Sequence, residues 1–407
     1  MQVGLNSRIP ILFTVINKNK RNTMKELLKK EEKKVEYLEL IYDLIFVYII
    51  GRNNSLLHNT VDGVVQPTML LAYVLCTLAV IQIWNFSTYY INIYGKNGLR
   101  EHIFLFSNMF LLYFVAEGTR EHWESYHTQY HAAWGLILLN IALQYFIELR
   151  NHKDEPEHTA GIKRIMTVLI IEAVLVFAVI PVYNATNIDF SGIPILFGIC
   201  SAFLSGKGIG EIIDFPHLTE RAMLYIVFTF GEMVIAIAGY FDGELTFSGI
   251  YFALMAFLIV VGLFLSYGTV YDKIIDRERK DNGLLYMFLH IFMIFGLNNI
   301  TNSLEFMREE EMQLIPKITM LIVSFLIYYF FLFATRRYSK VECRPKLSFY
   351  LKMAGIAASF VVLMFVFREN MYVNIALTAV YVFVVYAVIY RAGKVNSDIP
   401  KKTDEKA

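Results

Sequence analysis

Apolar residues in this chain gather in long uninterrupted runs, most of roughly 16–24 residues, rather than in narrow helical stripes or alternating strands. That is the length at which a helix rising ~1.5 Å per residue crosses a ~30 Å hydrocarbon core. The runs fall near 35–58, 68–91, 101–117, 130–149, 165–183, 192–205, 219–240, 247–270, 284–306, 315–335, 350–367 and 373–390. The sixth, GIPILFGICSAFLS, is the shortest. The pattern predicts an all-α polytopic membrane protein of about twelve transmembrane helices.

Charge between the runs gives an orientation, because cytosolic loops collect Lys and Arg. The even-numbered connections carry Lys96 and Arg100; Arg150, Lys153, Lys163 and Arg164; Lys207; Lys273, Arg277, Arg279 and Lys280; and Arg336, Arg337, Lys340, Arg344 and Lys346. The odd-numbered ones hold chiefly Arg120, Arg308, Lys317 and Arg368. Both termini are therefore expected in the cytosol. Parity supports the sixth span: the basic N-terminal tail and the basic 271–283 loop share a side, so an even number of spans separates them. Residues 1–34 read as a cytosolic, partly helical basic tail. Their apolar stretch IPILFTVI is too short to span, and Met24 is an alternative start. Residues 35–391 form the transmembrane domain and 392–407 a second cytosolic tail.

Composition agrees. Hydrophobic residues make up 56% and charged residues 18%, against roughly 25% charged in a soluble domain. A net charge of +1 offers no basic excess for nucleic acid. Cys76 and Cys200 lie in apolar runs and Cys343 in a basic loop, so neither a disulfide framework nor a CxxC site is expected. GKGIG (206–210) lacks the Walker GK[ST] and a preceding strand, and reads as an inner turn. In EHWESYHTQYH, His127 and His131 are spaced i, i+4 and a helix would offer both to one ion. Read as an exposed outer loop without HExxH, this segment predicts no metal, and no cofactor is expected.

VEYLELIYDLIFVYII in the first run and HLTERAMLYIVFTFGEMVIAIAG in the seventh resemble the signature segments of the bacterial low temperature requirement A family. Glu39, Asp43, His217, Glu220, Arg221, Gly231 and Glu232 match those motifs, as does the Tyr286…His290…Glu305 spacing in the ninth run. The resemblance covers about 35–391. The chain departs from it where Gly51-Arg52-Asn53 and Ser55 replace a Thr-Gln pair and a nearby His, and in the ending of the eighth run, where Tyr271-Asp272 stand. The resemblance implies a multi-pass protein of the bacterial plasma membrane, and brings no reaction with it.

Ionisable groups inside membrane helices cost about 2.5–3.5 kcal/mol each on insertion scales and persist with a partner or a polar path. Three layers are expected. Glu36, Glu39, Glu220 and Arg221 form an inner gate. Asp43, Glu172 and His290, roughly 9–12 Å deeper, form a proton site. Arg52, Glu232, Asn298 and Asn299, at roughly 20–26 Å, line a substrate cavity. Glu36, Glu39 and Asp43 share a helix face. Two six-helix halves are a further possibility, since YLELIYDLIF and YIVFTFGEMV each set an acid among aromatics.

Two functions fit. The leading one is a secondary transporter of a small molecule or ion, with proton coupling as one form. The other is a membrane-embedded enzyme on a lipid or lipid-linked substrate, using Glu39, Glu220 and His217 near the inner face. The bilayer is the one partner implied in either case.

Overall fold

The computed structural model describes residues 33–58, 60–119, 123–205, 212–241, 245–307, 309 and 311–394. The expectations for the tail before residue 33, for Lys207, GKGIG, Arg120 and Arg308, and for the end beyond 394 lie outside them. The described residues from Val35 onward form one compact unit and hold twelve α-helices. These are α1 (Tyr37–Asn53), α2 (Pro67–Tyr94), α3 (Leu99–Glu117), α4 (Trp123–Asn151), α5 (Pro156–Thr186), α6 (Gly192–Ser205), α7 (Phe215–Ile237), α8 (Phe247–Thr269), α9 (Leu284–Phe306), α10 (Leu314–Ala334), α11 (Leu347–Val366) and α12 (Met371–Lys394).

Ten of the helices are long and apolar enough to cross a membrane. The other two are α1, 17 residues and three charged side chains, and α6, 14 residues. Their helical lengths are about 25 and 21 Å. The fold is thus a multi-pass helical bundle. It is also inside-out in polarity: α1 turns Ile41, Leu44 and Tyr48 outward and encloses Glu39 and Asp43. Such an arrangement suits a hydrocarbon solvent, where apolar side chains face out and ionisable ones look inward.

The expectation of helices alone misses one small element. Thr60–Val61 (β1) and Val64–Val65 (β2) pair antiparallel across Asp62-Gly63. Both turn residues have positive φ, 50° and 73°, the geometry of a type I′ hairpin, for which Asp-Gly is a favoured sequence.

Helix packing repeats along the chain. In the first six helices, α1 packs on α2 and α3, α4 on α3 and α5, and α6 on α5 and α2. In the last six, α7 packs on α8 and α9, α10 on α9 and α11, and α12 on α11 and α8. The two sets meet where α1 and α2 touch α7, and where α2 touches α9.

Candidate functional site

The junction of α1, α2 and α7 holds a fully enclosed acid–base cluster. Pro216 at the second position of α7 starts that helix, and Asp214 caps it by accepting the His217 amide at 3.2 Å. This aims the first two turns of α7 at α1. Arg221, fully buried, donates from Nη2 to Asp43 Oδ1 and places Nη1 3.3 Å from Glu39 Oε2. Trp84 of α2 donates its indole N–H to the same Asp43 oxygen at 2.8 Å. Arg221 also lies 6.0 Å from the Trp84 ring centre, and Trp84 packs on Tyr225 at 4.5 Å.

His217 completes the cluster. Asp214 N–H donates to Asn92 Oδ1 at 3.0 Å, which fixes the Asn92 amide with its nitrogen 3.0 Å from His217 Nδ1. An amide nitrogen can only donate there, so the ring proton of neutral His217 sits on Nε2, 3.3 Å from Glu39 Oε2. Glu39 Oε1 accepts the Glu36 backbone N–H at 3.4 Å, across the first turn of α1. Counting these four side chains alone, with His217 neutral, two carboxylates face one guanidinium, a formal charge of −1.

The expected layers are rearranged. Glu39 and Arg221 meet, but Asp43 belongs with them, not with Glu172 and His290. The reason is reach: Asp43 is one turn beyond Glu39, and a guanidinium fork spans both carboxylates. Glu36 and Glu220 stand apart from this pair. Glu36 is exposed at the helix start, accepting from Asn97 at 3.1 Å, and Glu220 is an electrostatic neighbour of Tyr271.

Glu172 of α5 is buried beside α2 and α6. A Cβ on Gly198 would lie 2.5 Å from Glu172 Oε2 and would overlap Gln82 Nε2, so the absent side chain at Gly198 is what admits both groups. His290 of α9 lies among aromatic rings: Nδ1 is 2.8 Å from the Tyr286 carbonyl, and Nε2 is 3.1 Å from Tyr267 OH. The three groups expected in one proton site therefore occupy three locations.

Of the expected cavity residues, Asn298 enters a network that also needs residues with no motif. Its amide donates to Asn54 Oδ1 at 3.0 Å and Tyr73 OH at 2.8 Å, and Asn302 donates to the same two atoms at 3.0 and 3.2 Å. Asn299 donates to its own helix, at the Phe295 carbonyl. Glu232 packs against Gly51, where a Cβ would overlap Glu232 Oε1. Among the described residues Arg52 and Glu232 form no ion pair; the charged neighbour of Glu232 is Glu305.

Trp84, Asn92, Asn54, Tyr73 and Asn302 carry no family motif. A Trp within an apolar run is the one usable signal, because a buried indole N–H needs an acceptor. A second ion cluster, with its arginine partly exposed, was equally unannounced: Arg100 Nη2 bridges Glu101 at 2.7 Å and Glu148 at 2.5 Å between α3 and α4.

The segment expected to be an exposed loop is corrected. From Trp123 onward it is the first turns of α4, and His127 and His131 are buried at 1% and 0% exposure.

A multi-pass bundle tied at the α1–α7 junction by buried carboxylates, a guanidinium and an imidazole defines a polytopic membrane protein with a charged interior. Residues 34–389 match the sequence model of the family described as bacterial low temperature requirement A protein, and the chain belongs to that family. No curated protein and no solved structure matches it. Four residues that carry the family resemblance, Glu39, Asp43, His217 and Arg221, are the ones brought together in the cluster.

Proposed function

We propose that the protein is a secondary transporter of a small solute, coupled to protons and built from two six-helix halves, with both termini on the cytosolic side of the bacterial plasma membrane. The observation that carries the reading is the enclosed Glu39–Asp43–His217–Arg221 cluster, in which two carboxylates share one guanidinium. A buried charge of −1 is costly in low dielectric, and binding one proton or one cation relieves that cost. Relief that can be given and withdrawn is what a coupling site needs.

Symmetry of position supports the halves. Glu39 and His217 are each third in their helices, and Asp43 and Arg221 each seventh. The contacts therefore join equivalent positions of α1 and α7 at one register, acids from one helix and bases from the other. The repeated packing of α1–α6 and α7–α12 agrees with two related halves meeting at this junction. Rocking of one half on the other would stretch or shorten these contacts, linking protonation to access. Glu172, with neither carboxylate oxygen hydrogen-bonded among the described residues, is a second candidate proton carrier. The Asn298–Asn302–Tyr73–Asn54 network offers neutral groups to a polar solute.

The test is purified protein in liposomes under a pH gradient. Asp43→Asn and Glu39→Gln are each expected to abolish proton-coupled uptake while the protein still reconstitutes. Unchanged proton and solute flux in both variants would sink the carrier reading. The Glu39–His217 contact also fits an acid–base pair in lipid chemistry. Altered lipid headgroups in a deletion strain, with solute uptake unchanged, would favour that alternative.

A further inference from the structure

We infer that the end of the bundle where α4 begins and α5 gives way to α6 is a transition-metal site, formed by His127, His131 and Asp189 and suited to Zn2+. One ligand atom from each residue lies within 4.8 Å of the other two. Two imidazoles and one carboxylate, with a fourth position open, make a recurrent zinc arrangement. The 4.8 Å limit exceeds the ~3.3 Å between ligands bound at about 2.0–2.1 Å on a tetrahedral ion, a gap that side-chain rotation closes.

The surroundings are built as an outer shell. His131 Nδ1 is 2.8 Å from the His127 carbonyl, which can only accept, so the ring donates there and Nε2 bears the lone pair. Ser191 reaches Asp189 Oδ1 with both its backbone N–H, at 2.8 Å, and its hydroxyl. The Ser191 hydroxyl is also 2.6 Å from His131 Nε2. A serine hydroxyl has one proton and cannot serve both acceptors, so a Lewis acid between imidazole and carboxylate resolves the competition. The His127 ring is held by stacking on Tyr183, with centroids 3.7 Å apart and planes 14° apart. His127 Nε2 lies 3.7 Å from Asp189 Oδ1, on the side of the carboxylate that Ser191 anchors. Asp189 is 17% exposed while His127 is 1% exposed, which leaves an entry path on the carboxylate side.

The experiment uses the full-length protein in detergent, free of any polyhistidine tag, with its cysteines alkylated. Co2+ is titrated and followed by visible d–d absorption, and Zn2+ is then added as competitor. About one Co2+ per chain is expected, displaced by Zn2+. Asp189→Asn and His131→Asn should each weaken binding by about 100-fold or more, and Ser191→Ala, a positioning change, by about 10-fold. In metal-free buffer, elution volume and melting temperature report whether each variant is folded. No stoichiometric Co2+ binding by the native chain would overturn the assignment, as would unchanged affinity in folded Asp189→Asn and His131→Asn.

Discussion

Removing the guanidinium from the α1–α7 junction should be among the most damaging single changes in the bundle. Arg221 is fully buried and faces Glu39 at 3.3 Å as well as Asp43. In Arg221→Met the aliphatic stem is kept and the enclosed formal charge falls from −1 to −2. Breaking a buried ion pair from one side costs about 3–5 kcal/mol. For a chain of this size that lowers the apparent melting temperature by on the order of 4–6 °C. Asp43→Asn moves the charge the other way, to zero, and still accepts from Trp84 N–H. Its cost is that of weakened charge-assisted bonds, about 1–2 kcal/mol. The double variant restores −1 and should be less destabilised than the sum of the singles by about 1–3 kcal/mol. Chemical denaturation of the detergent-solubilised protein, followed by tryptophan fluorescence, measures all four corners. Trp84 donates to Asp43, so its emission reports on the junction itself. Additivity within about 0.5 kcal/mol would refute the argument, because uncoupled residues cannot be sharing one charge balance.

Two other changes probe separate parts of the molecule. Gly198→Ala puts a methyl 2.5 Å from Glu172 Oε2 and into overlap with Gln82 Nε2, so one of these buried groups must move; a loss of about 1–3 kcal/mol is expected in the same assay, and no loss would mean that Gly198 does not set this contact. His58 lies outside the spans, with its pKa raised by a hydrogen bond to Glu305 and, beyond the opposing effect of burial, by the charges of Glu309 and Glu305. Its contribution is fully present below the unfolded value near 6.5 and is lost as pH rises through the higher folded value. With 41% of the side chain exposed, that contribution is at most about 1 kcal/mol; His58→Gln should flatten the fall in stability over this pH range, and an unchanged pH profile would rule out the pairing.

How much of this was readable beforehand follows from what each feature depends on. Helix number and extent depend on local apolarity, and the runs in the sequence coincide with α1–α12 within a few residues at most ends. The start of α5 is an exception: charged residues from Pro156 to Arg164 are helical although no apolar pattern marks them. The Asp62-Gly63 turn was also open to a local reading, and the long apolar runs around it obscured it. Partnership is different, because depth along a helix does not say which neighbour it faces. Helix rise alone predicts one depth for Asp43, Glu172 and His290, yet they face Trp84 and Arg221, Gln82, and Tyr267 and Tyr286 respectively. Rotation about the helix axis and the order of helices around the bundle decide that, and neither is local. The burial of the α4 histidines is non-local for a related reason: it comes from α5 and the Asp189–Ser191 turn, over 50 residues away.

The charged junction also bears on why these helices stay together in lipid. Apolar faces drive little association there, since lipid tails solvate them as well as a neighbouring helix does. Association of α1 with α7 must then rest on packing and on polar contacts that lipid cannot replace. Separating the two helices would part Arg221 from the carboxylates of Glu39 and Asp43 in hydrocarbon, a far worse state than leaving two apolar faces apart. The cluster therefore holds the two six-helix sets in register strongly enough to make their relative position specific. A fully balanced pair would do this best, and the additional carboxylate works against it.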